Sequence, residues 1–171
     1  MSISNNFQVI KSQIPEPVEL VAVSKFHPVE KIKEVYDCGQ RVFGENKVQE
    51  LLSKVNELPN DIKWHLIGHL QTNKVKFIVP FIDTIQSVDS EKLLLEIDKE
   101  AAKINRKINV LLQVKIAEED TKYGLEVQEA KENKKLKEIH FSGKISNQGA
   151  QEILNLQKSA KPNKSHGRTN L

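Results

Sequence analysis

The sequence predicts an α/β protein built on a parallel sheet. Short apolar runs alternate with segments whose apolar residues recur every three or four positions, in units of about 20 to 30 residues. The run at residues 108–114 is almost continuously apolar, as expected of a strand buried on both faces. Such alternation produces either an open doubly wound sheet or a closed barrel, and a closed barrel typically needs eight units and about 250 residues.

Local signals mark the ends of the predicted elements. Pro28 can open a helix and Gly39 can close it, while Asp89 and Ser90 are both good N-caps for a later helix. The segment 44–46 (GEN) is predicted as a turn, in which Asn46 can serve as an N-cap. The predicted strands are 18–24, 41–43, 62–67, 84–88, 108–114 and 138–142. The predicted helices are 5–12, 28–38, 48–55, 74–79, 90–104, 126–136 and 145–157, and the polar tail 158–171 is predicted to be disordered.

Composition favours one globular domain in a reducing compartment. The chain has 171 residues, of which 38% are hydrophobic and 29% charged. No apolar run approaches the roughly 20 residues of a membrane span, and no secretory signal pattern is present, so we expect a cytoplasmic protein. Cys38 is the single cysteine. The net charge of +3 has its surplus after Gly143, which gives the rest of the chain no attraction for nucleic acid.

Polar residues follow the predicted strands and would meet at one rim of a parallel sheet. They are Lys25, Glu45, Asn46, His65, His69, Asn73, Ser87, Asp89, Gln113 and Lys115. No pair has the spacing of a helical metal site, and neither a glycine-rich phosphate loop nor a serine hydrolase elbow occurs. Lys25 ends an apolar strand, where an uncharged amine can form a Schiff base with an aldehyde. The other interpretation is that Lys25 is simply the first solvated residue after a buried strand.

Four segments in order carry a family resemblance. They are 21–25 (VAVSK), 43–50 (FGENKVQE), 64–74 (WHLIGHLQTNK) and 87–89 (SVD). Over residues 18–143 the chain resembles the pyridoxal-phosphate homeostasis proteins, which are similar to the barrel domain of alanine racemase. The resemblance implies a TIM-type (β/α) barrel portion at residues 1–143, expected to be monomeric.

The resemblance also implies a cofactor and a site. Pyridoxal 5′-phosphate (PLP) would be held as a Schiff base on Lys25, and Asn46 would flank it. His65, Gly68 and Ser87 would line the same pocket. Members of the family are regarded as PLP carriers in vitamin B6 homeostasis, so no catalytic residue is expected. An amino-acid racemase is the alternative in the enzyme class, although racemisation needs an acid or base on each face of the substrate carbanion and only Lys25 is identifiable.

Two departures from the family pattern qualify this prediction. Lys115 stands where the family has asparagine. Residues 144–171 match none of the strands that bind the phosphate in the family, so we expect about six of eight barrel strands and a divergent segment of helix and disordered tail. Loss of two or three charge-assisted hydrogen bonds of about 1.5 to 3 kcal/mol each would weaken PLP binding. A truncated or frameshifted, non-functional product is therefore a further alternative.

Overall fold

A computed structural model describes residues 2–114, 124 and 125. The elements in chain order are α1 (Ile3–Gln13), β1 (Ala22–Val23), α2 (Val29–Asp37), β2 (Val42–Glu45), α3 (Val48–Val55), β3 (Lys63–Leu66), a 3₁₀ turn (Thr72–Lys74), α4 (Val75–Ile78), β4 (Thr84–Val88), α5 (Glu91–Lys103) and β5 (Asn109–Leu112). The predicted strand 138–142, the predicted helices 126–136 and 145–157, the tail and Lys115 lie outside the described residues. None of the described helices combines the length and apolar character needed to cross a membrane.

The five strands form one sheet in the order β1-β2-β3-β4-β5, and every neighbouring pair is parallel. Val23 pairs with Gly44, Gly44 with His65, and His65 with Thr84. A doubly wound sheet reverses its strand order at a switch point, whereas the strands of a barrel follow one another around the sheet. The order observed here has no reversal. The predicted α/β fold of the barrel type is therefore confirmed, and the open doubly wound alternative is excluded for these strands.

The core lies between one face of the sheet and the helices. Phe43 and Trp64 are 1% and 2% exposed, and their ring centroids are 6.1 Å apart. They share one apolar cluster with residues of α2, α3, α4 and α5, among them Ile32, Leu51, Ile78 and Ile97. Side chains alternate along a strand, so the opposite face, here called the inner face, carries Val23, Gly44, His65 and Leu111. Val23 is 50% and Leu111 54% exposed.

Several local signals act as predicted. Gly39 follows α2 with φ of +97°, in the left-handed region that favours glycine. Ser90 is the N-cap of α5, and its Oγ accepts a hydrogen bond from the Leu93 N–H at 3.3 Å. Strand β4 occupies the predicted residues 84–88.

The first two strands differ from their predicted bounds. Strand β2 includes Gly44 and Glu45, so the predicted turn at 44–46 is wrong: the buried carboxylate of Glu45 is paired with Lys54, which lets a charged residue continue the strand. Strand β1 begins at Ala22 instead of residue 18. The Val18 N–H donates to the Pro15 carbonyl in a turn, and the Leu20 carbonyl accepts a hydrogen bond from the Gln40 side chain instead of a neighbouring strand.

Candidate functional site

Lys25 lies two residues after the end of β1, at the carboxyl end of the sheet. The Ser24 N–H donates to the Gly44 carbonyl at 3.0 Å, which extends the pairing of β1 with β2 up to this lysine. The Lys25 side chain is half-buried, and its Nζ lies 5.9 Å from the centroid of the exposed Phe26 ring. Among the described residues the amine has no hydrogen-bond or ion-pair partner. An amine in this situation is available to a ligand at the rim.

Three of the predicted site residues are in contact with one another at the next strand ends. Asn46 follows β2, Gly68 follows β3 and Ser87 lies near the end of β4. A Cβ atom on Gly68 would lie 2.3 Å from both the carbonyl oxygen and the Oδ1 of Asn46, so Asn46 packs directly on this glycine. The Ser87 hydroxyl donates to the Gly68 carbonyl at 2.5 Å. Since Val23 pairs with Gly44, Lys25 and Asn46 stand side by side on neighbouring strands.

His65 is not brought into this group. It lies two residues below the level of Lys25 and Asn46, roughly 6 to 7 Å along the sheet. Its Nδ1 is 2.9 Å from the Gln86 Nε2, and its Nε2 is 3.5 Å from a carboxylate oxygen of Asp83 at the amino end of β4. Burial lowers the pKa of His65, against the opposing attraction of Asp83. His65 therefore lies on the inner face below the rim, in surroundings that favour its neutral form.

His69 and Asp89 form a second polar contact at the rim. His69 follows β3 and Asp89 follows β4, and the His69 Nδ1 lies 2.9 Å from the Asp89 Oδ2. Asn73 is within the 3₁₀ turn that precedes α4. Lys25, Asn46, His69 and Asp89 thus lie after successive strands at one rim of the sheet, as expected from the sequence.

The sequence did not predict a buried ionic cluster behind Lys25. Glu45 and Lys54 are 0% and 7% exposed in their side chains, and the Lys54 Nζ lies 2.8 Å from Glu45 Oε1 and 2.7 Å from Glu50 Oε1. Glu50 and Lys54 are four residues apart on α3, and this spacing could have predicted their ion pair from the sequence. Glu45 Oε2 is buried and has no hydrogen-bond partner among the described residues. This cluster faces the helices, on the other side of the sheet from Asn46.

The residues at the rim fit an aldehyde cofactor that also carries polar ring substituents. Lys25 supplies a half-buried amine, Asn46 an amide, and Ser87 a hydroxyl oxygen. The absence of a side chain at Gly68 leaves the space that Asn46 occupies beside them. The fit concerns the aldehyde and the ring of the cofactor.

Fold and rim together define a barrel protein of the alanine racemase class. The sequence profile of the family described as "Alanine racemase, N-terminal domain" matches residues 1–164, so the match continues past Gly143. The alanine racemase of Bartonella henselae with covalently bound pyridoxal phosphate has a TM-score of 0.67 at 18% identity, over 94% of this chain and 49% of that one, and supports the fold.

Relatives of higher sequence identity indicate which group within this family the chain is similar to. The pyridoxal phosphate homeostasis proteins of Aquifex aeolicus and Schizosaccharomyces pombe are 45% and 41% identical over 67% and 72% of this chain, and the matches cover 50% and 55% of those proteins. PipY of Synechococcus elongatus, solved with PLP bound, has a TM-score of 0.75 at 34% identity and covers 93% of this chain and 84% of that one. The chain belongs to the pyridoxal phosphate homeostasis branch of this family, and it spans about half the length of the curated relatives it matches.

Proposed function

We propose that this protein binds PLP through a Schiff base on Lys25 and serves in vitamin B6 homeostasis as a carrier of the cofactor. The observation that carries the proposal is the position of the Lys25 amine, half-buried at the end of β1 and without a hydrogen-bond partner among the described residues. PipY, with which the chain shares its fold and 34% identity, has been solved with PLP bound. When bound, the cofactor supplies a reactive aldehyde that the lysine holds.

Each residue of the proposed site has a separate task. Lys25 would attach the cofactor, and the amide of Asn46, which stands beside it on the neighbouring strand, would hydrogen-bond the ring. Gly68 and Ser87 keep Asn46 in place through the close packing and the 2.5 Å hydrogen bond at the rim. His65 lies two residues lower on the inner face, in contact with Gln86, and would line the site from below.

Absorbance spectroscopy and chemical trapping test the proposal. The purified full chain mixed with PLP should gain a visible absorption band, and borohydride should fix the pyridoxyl group on the peptide that contains Lys25. The Lys25→Ala variant should lose both signals. Lys33→Ala, which removes an exposed lysine of α2, should keep both. Absence of the band in the wild-type protein, or an unchanged band in Lys25→Ala, overturns the proposal.

A test on amino acids separates the carrier from the enzyme alternative. A carrier with Lys25 as its single reactive group should leave the α-proton of alanine unexchanged in deuterated buffer when PLP is present. Exchange that requires both PLP and Lys25 would identify a racemase-like activity instead. Nuclear magnetic resonance of the alanine α-proton provides the measurement.

We also propose that the protein acts in the cytoplasm as a monomer, without a nucleic-acid partner. The single cysteine and the near balance of charges before residue 144 support this assignment. Light scattering coupled to size-exclusion chromatography should give the mass of one chain, and a dimer mass would contradict the proposal.

A further inference from the structure

The residues on either side of Lys25 are both tied to the buried ionic cluster of Glu45, Lys54 and Glu50. On one side, the Ser24 hydroxyl donates to Glu45 Oε1 at 2.6 Å, and the Ser24 carbonyl accepts from the Lys54 Nζ at 3.0 Å. On the other side, the Phe26 N–H donates to Glu50 Oε1 at 2.6 Å. Lys25 thus lies between two residues whose backbone atoms are held by one cluster.

Phe26 has a backbone conformation that needs such support. Its φ is +66°, in the left-handed region that large side chains rarely adopt. Its ring is 74% exposed, so ring packing contributes little to holding this conformation. The 2.6 Å hydrogen bond to the Glu50 carboxylate is the contact that fixes its peptide N–H. Because the left-handed residue directly follows Lys25, it sets the direction in which the chain leaves the lysine.

The cluster is built so that Glu50 remains an acceptor. The ammonium of Lys54 has three donors, and they are all used by Ser24, Glu45 and Glu50. The hydrogen bond from Lys54 is the main cause that lowers the pKa of Glu50, with a smaller contribution from the Phe26 N–H. An ionised carboxylate forms stronger hydrogen bonds to a backbone N–H than a neutral group does.

We propose that Glu50 is a positioning residue for Lys25: by holding Phe26 in its left-handed conformation, it directs the Lys25 amine toward the rim where the cofactor binds. This inference rests on the proposed function, because the position of the amine matters only if the cofactor binds to it. It assigns to residues 43–50, the second of the four segments that carry the family resemblance, a task that the candidate site residues do not cover. Glu50 touches no reacting atom and acts through Phe26.

The first experiment measures the amine without the cofactor. The full chain is labelled with limiting acetic anhydride, and mass spectrometry compares the acetylation of Lys25 with that of Lys33 in the same molecule. Glu50→Ala should change the Lys25 to Lys33 ratio several-fold and should speed hydrogen exchange of the Phe26 amide. Glu50→Gln, whose amide oxygen can still accept from Phe26 but which lacks the charge, should give a ratio between those of the wild type and Glu50→Ala. Glu57→Ala, an exposed position beyond the end of α3, is the matched control.

The second experiment adds PLP to the same variants. Loss of one charge-assisted hydrogen bond should weaken Lys25-dependent PLP binding about tenfold in Glu50→Ala, and Glu50→Gln, which restores a neutral hydrogen bond, should recover part of that loss. In the Phe26→Gly background the effect of Glu50→Ala should shrink, because glycine adopts positive φ without a steric cost. Circular dichroism melting shows whether each variant is folded at the assay temperature.

The outcomes distinguish this inference from the proposed function. If the wild-type protein forms no Lys25-dependent PLP band, the proposed function fails, and the labelling ratio still decides whether Glu50 positions the amine. If Glu50→Ala leaves the labelling ratio at the wild-type value, the positioning role is overturned. The same conclusion follows if Glu50→Ala weakens PLP binding by the same factor with and without the Phe26→Gly substitution.

Discussion

At the residue scale, Gly68 shows how a missing side chain shapes the rim. The position is buried, and a Cβ atom there would meet the Asn46 carbonyl oxygen and Oδ1 at 2.3 Å. Its backbone φ is not in the left-handed region, in contrast to Gly39. Glycine is therefore required at this position by the proximity of Asn46, and any side chain would push apart the ends of β2 and β3.

We predict that Gly68→Ala destabilises the protein by about 2 kcal/mol or more, since overpacking against backbone atoms can be relieved only by moving a strand end. Urea unfolding monitored through Trp64 fluorescence provides the measurement. Gly39→Ala is the matched control: nothing lies within 4 Å of its added Cβ, and its cost of about 1 to 2 kcal/mol comes from the positive φ alone. Equal stability of Gly68→Ala and the wild type would show that the close contact is absent in solution.

His65 predicts a pH dependence of stability. Burial lowers its pKa in the folded protein below the usual value near 6.5, so below that pH the unfolded chain binds a proton that the folded protein does not. Stability contributed by the neutral His65 is fully present above about pH 6.5 and is lost as pH falls toward the folded pKa, by at most about 1.4 kcal/mol per pH unit.

Urea unfolding at pH 7.5 and 5.5 tests this, and His65→Gln should show a smaller difference between the two pH values than the wild type does. The lowered pKa values of Glu50, Asp61 and Glu100 act at more acidic pH, so they do not mask the effect. An identical pH difference in both proteins would contradict the prediction.

At the scale of elements, β2 and α3 are joined by charge as well as by apolar packing. Val48 and Leu51 of α3 are buried against the sheet, and the Glu45 to Lys54 ion pair lies beside them. A buried pair is strongly destabilising when one partner is removed, because the other charge is left without compensation.

Lys54→Met should therefore destabilise the protein by about 3 to 5 kcal/mol, which chemical denaturation can measure. Adding Glu45→Gln to Lys54→Met should restore part of the stability, since it removes the uncompensated charge. Lys99→Met, which breaks an exposed pair with Glu96 on α5, should cost at most about 1 kcal/mol. A similar small cost for Lys54→Met would mean that water reaches Glu45.

The Glu45–Lys54 pair shows which features of the fold could be predicted from the sequence and which could not. Periodicity and caps located β4, α5 and the end of α2 because their signals are local. The end of β2 was misplaced because Glu45 is polar and its partner, Lys54, lies on the next helix. At the site, Lys25, Asn46, Gly68 and Ser87 could be placed at strand ends, whereas the lower position of His65 depends on the register of β3 with β2.

At the scale of the whole molecule, the two faces of the sheet differ in how they are covered. The helix face is closed by one continuous apolar cluster, while Val23 and Leu111 on the inner face remain about half exposed. Val23 lies on β1 and Leu111 on β5, the two edge strands of the described sheet, and exposed apolar side chains of this kind bind apolar dyes.

We predict that Val23→Thr combined with Leu111→Thr reduces the fluorescence of bound anilinonaphthalene sulfonate severalfold, with a change in unfolding free energy of at most about 1 kcal/mol because both side chains are already exposed. Leu95→Thr, at a 40% exposed position on α5, is the control and should leave the dye signal unchanged. Dye fluorescence in the double variant equal to that of the wild type would show that the dye binds at another part of the protein.

The unreversed strand order has a consequence for how this protein folds. Each strand pairs with its successor, so paired residues are roughly 20 positions apart in sequence, close to the shortest separation that a strand–helix–strand crossover allows. The sheet can grow one strand and helix at a time from β1. Lys25, Asn46, Gly68 and Ser87 all belong to the first four of these units, so their relative positions depend only on the pairing of neighbouring strands between β1 and β4.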